Sequence, residues 1–173
     1  MTKENWFYKN KVVLIGVLIV VLTHLITMLV NKCTFFGENV YTGGDNTAQY
    51  LGYASEIRRK IAEGESFIYS WRSVGGLGFH LIGIGFIANI TSFILALFPY
   101  NLFNDVCDVL VVLHSVLMFL TMSFYLLNRE SGKRIDKDSY EQLLFSVPYA
   151  LLPAFCNASL YCTFLIEFVL ILI

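Results

Sequence analysis

Asp45 is the residue whose type and surroundings are best suited to chemistry. It follows two glycines in the stretch Tyr41-Thr42-Gly43-Gly44-Asp45, so the backbone can turn sharply there and approach a ligand closely. A helical pattern begins directly after it, and this allows two interpretations. Either Asp45 caps that helix by accepting from the amides of Thr47 or Ala48, or its ionised carboxylate acts as a metal ligand, an electrostatic partner or, in a dry site, a general base. The two roles are compatible.

Basic side chains and a glycine-rich turn follow Asp45 in the chain. Arg58-Arg59-Lys60 is a run of three cations, and Arg72 precedes the turn Gly75-Gly76-Leu77-Gly78. Arginine binds phosphate with two parallel hydrogen bonds, so these residues are candidates to hold a phosphate or diphosphate. The alternative is a solvated helix face, or contact with anionic lipid headgroups.

Asp105 and Asp108 are paired carboxylates at the start of an apolar segment. Their three-residue spacing puts them on one face of a helix, which makes them weak candidates for a divalent-cation site. Acids that complement the helix dipole are the simpler explanation. His80, His114 and Glu167 lie in or beside apolar segments, where an ionisable group is a functional candidate, although packing against other helices is the alternative for each.

The composition excludes several classes of protein. Of the 173 residues, 57% are hydrophobic and only 14% are charged, whereas a soluble domain is about 25% charged. The mean hydropathy is +0.65. Twelve basic and 13 acidic residues give a net charge of -1, which argues against a nucleic-acid binder. The four cysteines have no metal-site spacing and are interpreted as buried thiols.

Apolar segments predict an all-α, polytopic integral membrane protein. The first, residues 12–30, is too long for a signal-peptide core of about 7–15 residues and suits a spanning helix of about 17–25. Residues 31–73 form a long outer loop in which residues 46–63 read as an amphipathic helix, with Leu51, Ala54, Ile57 and Ile61 on its apolar face and Gly64 at its end. The later apolar segments are residues 80–98, 106–127 and 143–173, the last divided near Pro153 and Asn157.

Charge places these segments relative to the membrane. Three lysines ahead of residue 12 put the N-terminus in the cytoplasm by the positive-inside rule. The basic loop after residue 127 must then also be inside, which is satisfied when residues 80–98 are a re-entrant or interfacial element rather than a span. The chain stops within an apolar run, so we expect it to be the N-terminal transmembrane region of a longer protein.

A set of linked motifs closely resembles the YfhO family of bacterial membrane proteins. The motifs are Gly43-Gly44-Asp45, Gln49-Tyr50, the stretch from Gly64 to Trp71, Gly75-Gly76-Leu77-Gly78, Leu97-Phe98-Pro99, Ser123-Phe124-Tyr125-Leu126-Leu127 and Tyr149-Ala150-Leu151. Ser159-Leu160-Tyr161-Cys162 departs from the family pattern, which has a Trp-Leu-Asp-like stretch in this place, and this puts a contribution from a second outer loop in doubt.

The resemblance implies a GT-C-like glycosyltransferase of the bacterial cytoplasmic membrane. Such an enzyme moves a sugar from a polyprenyl-phosphate carrier to an acceptor outside the membrane, here a cell-wall polymer such as teichoic acid. Asp45 matches the acidic residue of the first outer loop, as base or electrostatic stabiliser. The residues that would bind substrate are Gln49, Tyr50, Arg72 and the glycines Gly75, Gly76 and Gly78. A divalent cation would be compatible with the site. The alternative is a non-catalytic membrane protein, either a flippase for lipid-linked sugars or an assembly scaffold.

Overall fold

The computed structural model of the protein describes residues 10–41, 51–72, 76, 78, 94–128 and 139–155. Four long α-helices lie in these ranges: α1 (Lys11–Val30), α2 (Leu51–Glu63), α3 (Phe103–Asn128) and α4 (Glu141–Phe155). Residues 94–96 are also helical. Short 3-10 turns at Thr34–Phe36 and Tyr100–Leu102 follow α1 and precede α3. The described residues contain no β-strand, only an isolated bridge between Cys33 and Asn39. Helix is thus the regular structure throughout the described ranges, as the all-α prediction requires.

The chain divides into two compact units. The first, which we call the helical unit, combines Met1–Asn39 with Val111–Ile173; the second, the loop unit, is Val40–Leu110. The boundary falls within α3, so the first eight residues of this helix belong to the loop unit and the remainder to the helical unit. The residues that bear on chemistry lie mostly in the loop unit.

The helical unit is assembled around a regular stripe on α1. Its buried residues recur every fourth position, because residues four apart lie on one face of an α-helix. Gly16 lies on this stripe, and the rings and methyl groups of Phe119 and Leu143 fill the space where a larger side chain would be. Close approach of helices at a glycine is typical of membrane helix packing. A core of Val20, Met118, Phe119 and Ala150 continues the contact.

Polar side chains are also buried in the helical unit. His24 Nε2 and Ser115 Oγ lie 2.9 Å apart and join α1 to α3. His114, Ser123, Gln142 and Ser146 are buried as well. His114, a candidate functional residue by sequence, therefore lies inside the packed helices.

Among the residues that the structure describes, two helices are long and apolar enough to cross a membrane by length and composition. They are Lys11–Val30, with a hydropathy of 2.8, and Tyr100–Asn128, with a hydropathy of 2.1. At about 1.5 Å per residue, even the 20 residues of α1 match a hydrocarbon core of about 30 Å. α1 covers the expected segment 12–30, whereas α3 begins three residues before the expected 106, since Asp105 in its first turn is favoured by the helix dipole.

α4 differs from its expected limits. It begins at Glu141 and continues through Pro153 to Phe155, although Pro153 was expected to interrupt the apolar stretch. A proline inside a helix removes one hydrogen bond, and this helix extends past the position despite the loss. Most of residues 80–98, as well as the segment after Phe155, lie outside the described residues, so the re-entrant element stays a prediction.

Candidate functional site

Lys60 anchors the framework of the candidate site in the loop unit. Its side chain is 1% exposed, although it belongs to a helix whose sequence places cations on the solvent side. The ammonium donates to the carbonyls of Ser66 at 2.8 Å and Tyr69 at 2.6 Å, and it lies 3.5 Å from a carboxylate oxygen of Glu65. These bonds hold residues 64–72, which we call the tryptophan segment, against the end of α2.

Glu56 supports the same segment from one turn earlier on α2. The Ser70 hydroxyl donates to Glu56 Oε1 at 2.6 Å, and the backbone N–H of Arg72 donates to Ser70 Oγ at 3.3 Å. Glu56 and Ser70 are both buried. The position of Arg72 is therefore linked to α2 through two consecutive hydrogen bonds.

Arg59 gathers three carboxylates around one guanidinium. It forms paired hydrogen bonds with Glu56, at 3.0 and 2.8 Å, and with Glu65, at 2.7 and 2.6 Å, and it also pairs with Glu63. Because the guanidinium favours the ionised carboxylates, hydrogen bonding from Arg59 lowers the pKa of Glu65 to about 2 and lowers that of Glu56. The carboxylates in turn raise the pKa of Arg59. These contacts occupy Arg59 with carboxylates of its own chain and take it away from an added anion.

Arg58 makes a different contact on α2. Its Nη1 donates to the carbonyls of Ala96, at 3.2 Å, and Phe98, at 2.7 Å. These acceptors belong to residues 94–102, the pre-helix segment, which leads into α3. The three cations of the run Arg58-Arg59-Lys60 thus all bind groups of the loop unit. They therefore form neither an unoccupied phosphate-binding site nor a helix face that only water contacts.

The glycine-rich turn is packed against the tryptophan segment at Gly76. This residue has φ +102°, which side chains rarely allow. A β-carbon here would also collide with the Tyr69 hydroxyl and touch the Trp71 ring. The two rings meet edge to face, with centroids 4.9 Å apart. Gly76 is therefore required for both its backbone conformation and the close approach of Tyr69.

The two carboxylates near the start of α3, Asp105 and Asp108, differ in how deeply they are buried. Asp108 is 1% exposed, and its Oδ2 accepts from the backbone N–H of Tyr41 at 3.4 Å. Asp105 is half-buried in the first turn. Across the described ranges, no three His, Cys, Asp or Glu side chains are close enough to hold a metal ion. Asp108 instead contacts the backbone four residues before Asp45.

Not all predicted site residues lie in the described ranges. Arg72 is exposed at the end of the tryptophan segment, and Gly76 and Gly78 are half-buried. The structure brings Arg72 and Gly76 into one framework through Ser70, Tyr69 and Trp71. Asp45, Gln49, Tyr50 and Gly75 lie outside the described residues, so their roles stay predictions.

Sequence reasoning missed the buried charges of α2. Ile61 was expected on the apolar face, but it is 51% exposed, while Glu56 and Lys60 are buried in its place. Lys60 lies three residues after the buried Ile57, a spacing that also fits the inner face. The spacing alone would have predicted that Lys60 is buried. A prediction from hydropathy places any charged residue on the solvent side and so misses it.

A family comparison places these motifs in a known group. The model of the family described as "Bacterial membrane protein YfhO" matches residues 16–171, which confirms the resemblance seen in the motifs. No curated protein and no solved structure matches the sequence. The match covers the whole loop unit and most of the helical unit, and it includes residues 16–30 of the first candidate span and all of the candidate span Tyr100–Asn128. The chain belongs to the YfhO family of bacterial membrane proteins.

Proposed function

We propose that this membrane protein takes part in sugar transfer from a polyprenyl-phosphate carrier to a cell-wall polymer, such as teichoic acid, outside the cytoplasmic membrane. The observation that carries the proposal is the placement of Arg72. Its guanidinium is exposed and makes no hydrogen bond or ion pair with the described residues, whereas Arg58, Arg59 and Lys60 are all engaged. An exposed arginine beside a glycine turn, with its backbone N–H bound to Ser70, is suited to a phosphate.

In this proposal Asp45 activates the acceptor. Its carboxylate takes the proton of an acceptor hydroxyl as the oxygen forms a bond to the anomeric carbon. The bond from that carbon to the phosphate oxygen breaks, and polyprenyl phosphate leaves. Because the leaving phosphate is already anionic, it needs a cation rather than a proton, and Arg72 supplies that cation. The proposed substrate-binding residues are Gln49, Tyr50, Gly75, Gly76 and Gly78.

The N-terminus is cytoplasmic in this arrangement, and α1 crosses the membrane outward. The loop unit then meets the lipid carrier on the outer side, where the polymer acceptor is available. Asp108 accepts a hydrogen bond from the backbone N–H of Tyr41, two residues before Gly43 in the chain.

The proposal is tested by cell-wall polymer glycosylation in a deletion strain complemented with the gene. Asp45→Asn removes the base but keeps the size of the side chain, and we expect transfer to fall by about 10²–10⁴-fold, the usual contribution of a general base. Glu38→Gln is the matched control, because it neutralises an exposed carboxylate of the described chain. Membrane levels of all variants are equalised before comparison.

Arg72 is tested separately with Arg72→Gln and Arg72→Lys. We expect Arg72→Lys to retain part of the transfer, since it keeps the charge but loses the paired geometry, and Arg72→Gln to lose it. Full transfer by Asp45→Asn would reduce Asp45 to a helix cap. Absence of any dependence of glycosylation on the wild-type gene would overturn the transferase and favour a flippase or scaffold.

A further inference from the structure

Four large apolar side chains project from the tryptophan segment. Trp71 is 81% exposed and Ile68 is 67% exposed, and Phe67 and Tyr69 are also open to the surroundings. The segment does not owe this exposure to a loose backbone, because Lys60 and Glu56 bind it at Ser66, Tyr69 and Ser70. A rigid segment that displays contiguous apolar side chains is typical of a binding surface.

The pre-helix segment displays the same kind of side chains. Leu97 is 73% exposed and Tyr100 is 72% exposed, with Phe98 and Leu102 partly open. Tyr100 is also the first residue of the candidate span Tyr100–Asn128. As the first residue of a candidate span in a membrane protein, Tyr100 is expected at the edge of the bilayer.

α2 binds both the pre-helix segment and the tryptophan segment, through residues that are close together along its axis. Arg58 binds the pre-helix segment and Lys60, two residues later, binds the tryptophan segment. A rise of about 1.5 Å per residue separates these attachments by only about 3 Å along the helix axis, and a helix is about 10–12 Å across. The two exposed surfaces are therefore both attached to α2, at positions two residues apart.

The chemistry of the exposed side chains indicates what covers this surface. Tryptophan and tyrosine combine an apolar ring with one polar group and are enriched at the boundary between bilayer and water. Arg72 follows Trp71 directly and is exposed. Glu63 and Glu65 are about half-exposed near the same end of α2, which keeps their charges in water.

We infer that the tryptophan segment is an interfacial anchor that inserts Phe67, Ile68, Tyr69 and Trp71 into the bilayer at the level of Tyr100. The occupant is bulk phospholipid of the bilayer rather than a partner protein or a sugar carrier. This inference does not depend on the proposed sugar transfer, and its test contains neither donor nor acceptor.

The two tryptophans of the 173-residue chain, Trp6 and Trp71, allow a direct test. With Trp6→Phe, Trp71 is the sole tryptophan emitter. The protein is reconstituted in phosphatidylglycerol vesicles with and without bromine on the acyl chains near the headgroup, and emission is also measured with aqueous iodide. We expect brominated lipid to quench Trp71 and iodide to quench it weakly.

The reference is a variant with Trp6→Phe, Trp71→Phe and Tyr100→Trp, which carries its tryptophan at the predicted bilayer edge. Quenching by brominated lipid that matches this reference supports the inference. Quenching of Trp71 by iodide alone places it in water and overturns the inference. Protection of Trp71 from both quenchers means that protein covers the segment, which also overturns it, and so does a reference that brominated lipid fails to quench.

Lys60→Met supplies a second check within the same background. If the ammonium holds the anchor in place, quenching of Trp71 by brominated lipid falls while the Tyr100→Trp reference is unaffected. An unchanged pattern in Lys60→Met would overturn the role of Lys60 in presenting the anchor.

Discussion

The hydroxyl of Tyr69 occupies the space that a β-carbon at Gly76 would need. The Trp71 ring packs edge to face on Tyr69, so three residues from two neighbouring motifs form one packed turn. Arg72 follows this turn directly in the chain. The conformation of the glycine-rich stretch and the placement of the exposed cation are thus parts of one local structure.

Gly76→Ala should therefore destabilise this turn. The positive φ alone costs about 1–3 kcal/mol for a residue with a side chain, and the collision with Tyr69 adds to it. Thermal unfolding in detergent and the emission of Trp71 measure the effect. Tyr69→Phe should relieve the collision but leave the backbone strain. Gly52→Ala is the matched control, because it adds a methyl group in open space on α2 and should stabilise the helix by about 0.5–1 kcal/mol. Equal stability of Gly76→Ala and the wild type would contradict the packed turn.

Lys60→Met should loosen the tryptophan segment. Each hydrogen bond from a charged group contributes about 1.5–3 kcal/mol, and the ammonium makes two to backbone carbonyls. Amide exchange in residues 64–72, followed by mass spectrometry in detergent, should accelerate. Lys32→Met removes an exposed lysine of the helical unit and should leave this exchange as it is. The assignment fails if the two variants exchange alike.

The carboxylates around Arg59 predict an acid-sensitive segment. The pKa of Glu65 is lowered from 4.5 to about 2, and that of Glu56 is lowered too. A carboxyl group with a lowered pKa in the folded state stabilises that state fully above the unfolded pKa, and the contribution is lost as the pH falls through the folded value. Thermal stability should thus be flat above about pH 5 and decline between about pH 4.5 and 2. Glu65→Gln should weaken this decline, and a decline that is identical in the variant would assign it to other groups.

Gly16→Val should disturb the helical unit. The added methyl groups would meet Phe119 and Leu143, and overpacking of this kind costs about 1–3 kcal/mol. Unfolding by a denaturing detergent measures the loss. Phe119→Ala, which opens space opposite Gly16, should recover part of the stability in the double variant. Leu18→Ala changes an exposed position of α1 and should have a much smaller effect. If the two substitutions lowered the stability additively in the double variant, this would contradict a direct contact between positions 16 and 119.

The features that could be predicted from the sequence are those that depend on interactions between residues close together in the chain. The long apolar run predicts α1 because a helix satisfies its own backbone hydrogen bonds. Gly64 marks the end of α2, and its φ of +65° is the conformation that glycine tolerates best. The prediction for Ile61 was wrong because two charged residues, Glu56 and Lys60, take inner positions on the same helix. Their burial depends on Ser66, Tyr69 and Ser70, which contribute carbonyls and a hydroxyl that no helical periodicity contains.

By itself, the sequence determined the membrane class, the family, the helices α1, α2 and α3 and the set of candidate residues. These depend on composition, short-range spacing and linked motifs, which a linear chain displays directly. Tertiary structure alone decided which cations are available. Arg59 and Lys60 are bound by groups three to nine residues away and Arg58 by carbonyls about forty residues away, whereas Arg72 stays exposed. A buried charge is stable only where folding assembles enough acceptors around it, so its fate depends on partners brought together in space.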